Sequence, residues 1–498
     1  MEASTLEAVH TTGGRVEGVL REGHLVFWGI PYAAPPVGDR RFRPPQPASP
    51  WSTLRLAREI GYAAPQTPHP IQGFAASGPQ DEDCLNLNVF TPAADGAGRP
   101  VLLWIHGGGF THGAGYEAIY DGGAFASRHD VVVVSINYRL GALGFLSLPE
   151  AGFGPNLGLL DQIAALKWVQ ANIESFGGDP ANVTIFGESA GSASVAALLA
   201  MPAARGLFNR AILQSGVGRA APPEIAARTA AAFLEALGLP PDRAAELQQV
   251  PVAEILRAQV AVQKQGLLFG PVRDPGTLPD EPLRVIRQGA ASETAVLIGS
   301  NRDEVKLFAA AAPRQPLDEA GLLAAVRAAL PEASEEQAKA LVETYRASRR
   351  AKGLPTESLD ILDAVQSDVR FRIPSIWLAS AQRAVQPNTY LYLFTHASPA
   401  RRGLLGACHA LEMPFVFGTH RAPGQDRFCG AGPEVERLSA EMNAAWAAFA
   451  RTGDPSTPTL AWPAFDPERR TTMVFDTQAS RVESDPFGEE RAAIEPLM

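Results

Sequence analysis

An α/β fold built on a central, mostly parallel sheet is the architecture this sequence predicts, on three observations. Continuous apolar runs recur at residues 101–105, 131–136, 183–186, 210–213 and 294–298, with a later one at 389–394. Strands buried on both faces read this way, whereas half-exposed strands alternate. Helical segments separate the runs. The clearest, 158–173, places Leu159, Ile163, Leu166, Val169 and Ile173 close to a 3.6-residue period. Finally, a tight turn, Gly187-Glu188-Ser189-Ala190-Gly191, joins one apolar run to an Ala-rich helical stretch.

The 498 residues suffice for one large domain with insertions, and no repeat or low-complexity segment divides them. A single domain over 1–498 is expected. Residues 15–19 and 24–28 read as short strands of an antiparallel opening, followed by a Pro-rich surface stretch at 31–47. Residues 84–90 alternate apolar and polar side chains, as an edge strand does. Two helix-rich blocks, at roughly 220–290 and 315–385, contain no convincing strand. They read as insertions above the sheet, placed to form a lid or substrate gorge; packing on one flank is the alternative. Residues 434–451 read as a terminal helix.

The turn carries the chemistry. Gly-x-Ser-x-Gly between a strand and a helix is the nucleophile elbow of the α/β-hydrolase fold. The chain reverses so sharply that a side chain two positions either side of Ser189 would strike the neighbouring strand or helix, so glycine is favoured there. The serine hydroxyl is thereby lifted clear of the sheet at a helix N-terminus, where developing negative charge is stabilised.

Chain order then restricts the partners, because in this fold the acid follows the serine and the histidine follows the acid. Three histidines lie beyond Ser189: His396, His409 and His420. His396 abuts the strand at 389–394 and His420 reads as a surface turn. His409 sits on a loop with room to reach the serine and is the favoured base; the other two are then ordinary exposed histidines. The acid belongs just past the strand at 294–298, where Asp303 and Glu304 both qualify on position. The oxyanion hole needs backbone N–H groups free of side chains. His106-Gly107-Gly108-Gly109-Phe110 follows the strand at 101–105, so Gly108, Gly109 and Ala190 are the expected donors. His106 and His112 flank that loop without a third ligand at metal spacing, so neither a metal nor a cofactor is expected. Glu188 and Ser215 are further candidates near the site, and Phe110, Leu267, Leu268, Phe269 and Phe371 are candidate lining residues.

A net charge of −10 without a Lys/Arg block argues against nucleic acid as a partner. The three cysteines, Cys84, Cys408 and Cys429, form no C-x-x-C pair and suit a reducing compartment. The acidic N-terminus lacks the apolar core of a signal peptide, and the longest apolar stretch, 131–146, is interrupted by Asn137 and Arg139. A cytoplasmic protein without a membrane span is expected. The expected partner is a small-molecule ester substrate, with monomer and homodimer both open. Basic residues are almost all Arg, with five Lys, which with the abundant Ala and Pro suggests a GC-rich bacterial genome.

Longer motifs resemble the type-B carboxylesterases, the family of bacterial p-nitrobenzyl esterases, mammalian carboxylesterases and cholinesterases. Gly29-Ile30-Pro31-Tyr32-Ala33 with Pro35-Pro36-Val37-Gly38 is similar to the family's opening, Glu82-Asp83-Cys84-Leu85-Asn86 to its second signature, and the block from Asn156 through Phe176-Gly177-Gly178-Asp179-Pro180 to Gly191 to the segment ending in the elbow. The resemblance spans nearly the whole chain. It implies a serine esterase acting on short to medium acyl chains through an acyl-enzyme, with amides or carbamates as alternative substrates. It also selects Glu304, through the Asn-x-Asp-Glu sequence Asn301-Arg302-Asp303-Glu304, and supports His409 through Glu412, Phe415 and Phe417 after it. Two features depart from the eukaryotic members. No upstream cysteine is placed to pair with Cys84, and no Trp lies at 74–80, where cholinesterases bind a cation. Choline esters are therefore not expected. Because Ser189, Glu304 and His409 are all present, the catalytically silent binding role seen in adhesion proteins of this fold is disfavoured.

Overall fold

The computed structural model describes residues 8–71, 73–311 and 313–498. The acidic N-terminal segment considered above lies outside them. Among the described residues one sheet of eleven strands organises the chain. In chain order these are β1 (Val19–Arg21), β2 (His24–Pro31), β3 (Asn86–Thr91), β4 (Arg99–Ile105), β5 (Val132–Ile136), β6 (Gly178–Glu188), β7 (Arg210–Gln214), β8 (Ala295–Asn301), β9 (Thr389–Phe394), β10 (Thr471–Phe475) and β11 (Arg481–Ser484). Their spatial order is β1-β2-β3-β5-β4-β6-β7-β8-β9-β10-β11. Pairing is antiparallel from β1 to β5, parallel from β5 through β10, and antiparallel again to β11. A small three-stranded sheet of Val9–His10, Arg15–Glu17 and Arg55–Leu56 stands apart, so the stretch expected to start at residue 15 is the middle strand of that sheet rather than part of the main one.

The apolar runs behave as two-sided strands. Along β4, Val101, Leu103 and Ile105 enter the core on one face of the sheet, and Leu102 and Trp104 enter the core on the other. The stretch at 84–90 is a correction. It forms β3, which lies inside the sheet between β2 and β5 with every residue buried, not at an edge. Its polar positions are satisfied internally: Asn88 accepts from the Gly29 N–H at 3.0 Å and donates to Ser135 Oγ at 3.0 Å. Alternation in sequence therefore marked hydrogen-bonded amides in the core, not a wet face.

Helix α1 (Leu157–Asn172) and helix α2 (Ala190–Ala200), which begins at the elbow, are buried along most of their length. The first helix-rich block folds as α3 (Pro223–Leu237), α4 (Val252–Gln263) and α5 (Pro282–Arg287). The second contains α6 (Glu319–Ala329), α7 (Glu335–Ala351), α8 (Ser358–Ser367) and α9 (Ile373–Arg383). Ser334 and Gln337 form a reciprocal capping box that starts α7. A π-turn, Asp368–Arg372, links α8 to α9. Pro374 follows it and has no N–H to return to the preceding turn, so the hydrogen-bond ladder is interrupted there. The helix expected at 434–451 forms α10 (Pro433–Thr452) and drives Trp446 and Phe449 into the core; it is not the terminal one, because β10, β11 and a short helix, Gly488–Ile494, follow it.

Register sets the site. Ile105 pairs with Gly187, Glu188 with Gln214, and Gln214 with Gly299. The carboxyl ends of β4, β6, β7 and β8 therefore finish level with one another, which is where open parallel sheets assemble their sites.

Candidate active site

Ser189 stands between β6 and α2 with φ 56° and ψ −120°, a conformation that costs an L-residue free energy and persists only where its surroundings impose it. The flanking glycines show what imposes it. A Cβ on Gly191 would fall 2.0 Å from the Ile105 carbonyl oxygen, and one on Gly187 would fall 2.5 Å from the Gly191 carbonyl carbon. The serine backbone is tied from both sides: its N–H donates to the Gln214 carbonyl at 2.9 Å and its carbonyl accepts from Ala193 at 2.9 Å. The side chain is half-buried and reachable.

The glycine loop after β4 lies against the elbow. A Cβ on Gly107 would be 3.1 Å from Ser189 Cβ and 2.7 Å from the Glu188 carbonyl oxygen. Gly108, at φ 104°, sits where a Cβ would overlap the His112 carbonyl oxygen at 2.2 Å, so this turn admits only glycine. The Gly108 and Gly109 N–H groups donate to no acceptor among the described residues, and Ala190, as the first residue of α2, has no intrahelical acceptor. Three unspent donors thus border Ser189. His106 is internal to the loop: its ring stacks on Tyr138, Nδ1 contacts the Gly107 carbonyl at 2.8 Å, and burial pushes its pKa down to about 4.

His409 is fully buried beside the elbow. Its Nδ1 is 2.6 Å from Glu304 Oε2, and Glu304 is positioned by the Asn301 N–H, which donates to Oε1 at 2.7 Å. On the other side of the ring Nε2 is 2.9 Å from Glu188 Oε1, but out of line, and neither atom has a hydrogen-bond partner among the described residues. Burial by itself would lower the His409 pKa; the Glu188 and Glu304 carboxylates outweigh it and raise it well above 6.5. Asp303, the other acid that position allowed, faces away from His409. It accepts from the Ala407 N–H at 3.0 Å and pairs with Arg302 and Arg349, whose charges overcome its burial and hold it well below the usual carboxylate range.

A third carboxyl completes the cluster. Glu412 is fully buried and accepts from Gln214 Nε2 at 3.2 Å and Asn301 Nδ2 at 2.6 Å. Burial, reinforced by Glu188 and Glu304, pushes it up to about 8 despite those donors. Gln214 is held in turn by Trp446 Nε1, 3.0 Å from its Oε1. Sequence reading used Glu412 only as part of a motif. The signal for its burial was its place one helical step after His409, on a turn entering an aromatic core.

The remaining candidates separate. Phe371, carried by the π-turn, lies 5.1 Å from the His409 ring, and Phe308, which sequence reading missed, lies 5.0 Å from it. Phe110 follows the glycine loop and packs on Phe145, with the backbone of Gly270 beside it. Leu268 is exposed and Leu267 half-buried. Phe269 is a correction: it is buried against Phe233 in the core and presents no wall to solvent. Ser215, one strand over, shares the positive φ of Ser189, at 54°, and its buried Oγ lacks a partner among the described residues. Neither remaining histidine is an ordinary exposed one. His396 spans Thr477 and the Cys429 carbonyl, and His420 is buried against Glu436.

The carboxylesterase family model matches residues 5–493. The chain belongs to the carboxylesterase family. It is 41% identical to the para-nitrobenzyl esterase of Bacillus subtilis, with 99% of each chain covered, and 36% identical to the phenmedipham hydrolase of Pseudarthrobacter oxydans, with 97% of each covered. The solved structure of a Geobacillus stearothermophilus carboxylesterase superposes with a TM-score of 0.87 at 43% identity, over 98% of this chain and 99% of that one. This carboxylesterase is therefore a carboxylic-ester hydrolase of the α/β-hydrolase fold. Among the described residues no helix is long and apolar enough to cross a membrane.

Proposed function

We propose that this carboxylesterase hydrolyses esters of short to medium acyl chains through an acyl-enzyme on Ser189. The observation that carries the reading is the fully buried Glu304–His409 pair set beside a strained serine with three unspent N–H donors around it. His409 takes the Ser189 proton as Oγ attacks the ester carbonyl, and Glu304 holds the imidazole in the tautomer that leaves Nε2 free. The oxyanion is met by the N–H groups of Gly108, Gly109 and Ala190, each worth roughly 3 kcal/mol of barrier. His409 then protonates the leaving alcohol, and water repeats the attack to release the acid. Glu188 stabilises the imidazolium formed in both steps. The two helical blocks roof the site: Phe371 comes from one, and Gly270 reaches Phe110 from the other. The three buried free thiols support a reducing, cytoplasmic setting.

Labelling with a fluorophosphonate tests this reading. One adduct per chain, on Ser189 and absent from Ser189→Ala, is expected; an unlabelled wild type would overturn it. Hydrolysis rates of p-nitrophenyl esters from C2 to C12 then size the acyl pocket. The ratio of ester to anilide or carbamate turnover places the leaving-group preference.

A further inference from the structure

The motif Asn301-Arg302-Asp303-Glu304 does more than supply the acid. Three of its residues grip three consecutive residues of the loop that carries the base. Asp303 meets Ala407 in both directions: its N–H donates to the Ala407 carbonyl at 2.9 Å, and its Oδ2 accepts from the Ala407 N–H at 3.0 Å. Asn301 Nδ2 donates to the Cys408 carbonyl at 2.7 Å. The Glu304 carbonyl accepts from the His409 N–H at 3.3 Å, and its carboxylate faces the ring, 2.6 Å from Nδ1. The fit at Asp303 is close. Gly406 sits at φ 56°, and a Cβ there would fall 2.5 Å from Asp303 Oδ2.

The loop needs that grip. Ala410, directly after His409, stands at φ 62°, which costs an alanine free energy and persists only under restraint. Asn301 is neutral and the Glu304 carboxylate is committed to the ring, so the charged hold on the backbone is Asp303. Its carboxylate is buried, and two guanidiniums attend it. Arg302 places Nε and Nη2 each 2.9 Å from Oδ2, and Arg349 places Nη2 3.3 Å from Oδ1. Arg349 is 1% exposed and arrives from α7, in the second helical block; its Nε donates to the Pro355 carbonyl at 3.1 Å. Buried ion pairs are a poor source of net stability, because desolvation offsets the attraction. What this one does geometrically is fix Oδ2 where the Ala407 N–H finds it.

We propose that Asp303 is the positioning residue of the catalytic histidine, held in turn by Arg302 and by Arg349 of α7. The inference rests on the esterase reading above. The two adjacent acids divide the work: Glu304 orients the imidazole, and Asp303 fixes the backbone that carries it. Without Asp303 the loop relaxes at Ala410, His409 Nδ1 draws away from Glu304, and Nε2 leaves the line to Ser189. Contacts to the substrate are untouched, so the loss falls on kcat. Because Arg349 belongs to α7, the second helical block is wired to the base through this carboxylate.

The test measures kcat and KM for p-nitrophenyl acetate per active site. Sites are counted by fluorophosphonate titration run to completion, so unfolded chains do not enter the count. Asp303→Ala removes the acceptor and is expected to lower kcat per site about 100-fold, with KM little changed. Asp303→Asn keeps an oxygen for the Ala407 N–H and loses the charge that Arg349 holds, so it is expected to recover most of that loss and fall only about 3- to 10-fold. The proton resonance of the Nδ1–H···Glu304 hydrogen bond is expected to move upfield in Asp303→Ala as the bond lengthens. A purely structural role leaves kcat per site and that resonance at their wild-type values in both variants, and this result overturns the proposal. If Asp303→Ala yields no titratable sites, Asp303→Asn decides alone: the smaller fall with the resonance shifted supports the proposal, and wild-type values overturn it. A wild type in which no serine titrates contradicts the esterase reading itself, whatever the variants do.

Discussion

Glu188 Oε1 lies 2.9 Å from His409 Nε2 yet off the hydrogen-bonding direction, so the two groups are close while the nitrogen stays without a hydrogen bond among the described residues. With Glu304 on Nδ1, the imidazole stands between two carboxylates, and its pKa is raised well above 6.5. A base must be neutral to accept a proton, so activity is lost as pH falls through that raised value. Replacing Glu188 with Gln removes one counter-charge and is expected to move the acid limb of kcat/KM to lower pH. The pH profile of wild type against variant checks this; an unmoved limb contradicts it.

Glu304→Gln offers His409 Nδ1 an amide in place of a carboxylate. The tautomer and the imidazolium both lose their support, and kcat is expected to fall by about 10³- to 10⁴-fold with KM little changed. Steady-state kinetics on a p-nitrophenyl ester measures it.

Gly191→Ala places a methyl group 2.0 Å from the Ile105 carbonyl oxygen, against backbone that cannot swing away. A stability loss of about 1–3 kcal/mol is expected. Displacement of Ser189 by even an ångström adds a fall of about 100-fold in kcat/KM. Urea denaturation and kinetics on the same sample separate the two effects.

Glu412→Leu strands the Gln214 and Asn301 amide donors in the core, at about 1–3 kcal/mol each. The wild-type carboxyl, pushed up to about 8 in the folded protein, holds its proton where the unfolded chain has released it. Its contribution to stability is therefore fully present below the ordinary value of 4.5 and is lost as pH rises through about 8. The stability gap between wild type and variant should be wider near pH 5 than near pH 9. Urea midpoints at those two pH values test it, and a constant gap contradicts it.

What the sequence made legible follows from local physics. The elbow could be read because its glycines answer to a close approach that no other residue tolerates, and the two-sided strands because their burial leaves no polar alternation. Asp303 and Glu304 were inseparable by position. Only the fold turns one toward His409 and the other toward Arg302 and Arg349. β3 was misread because Asn88 finds its partners on the neighbouring strands and Asn86 finds its own at the Tyr62 carbonyl and the Asn137 amide, which composition does not reveal. Phe269 was misread because neighbours in a loop, Leu268 and Phe269, face opposite ways.

The central claim is that Ser189 is the nucleophile held by this frame, and the most direct measurement is kcat for a p-nitrophenyl ester in wild type and Ser189→Ala side by side. A fall of about 10⁶-fold with the fold intact is predicted. Retention of activity within tenfold of wild type would contradict the account.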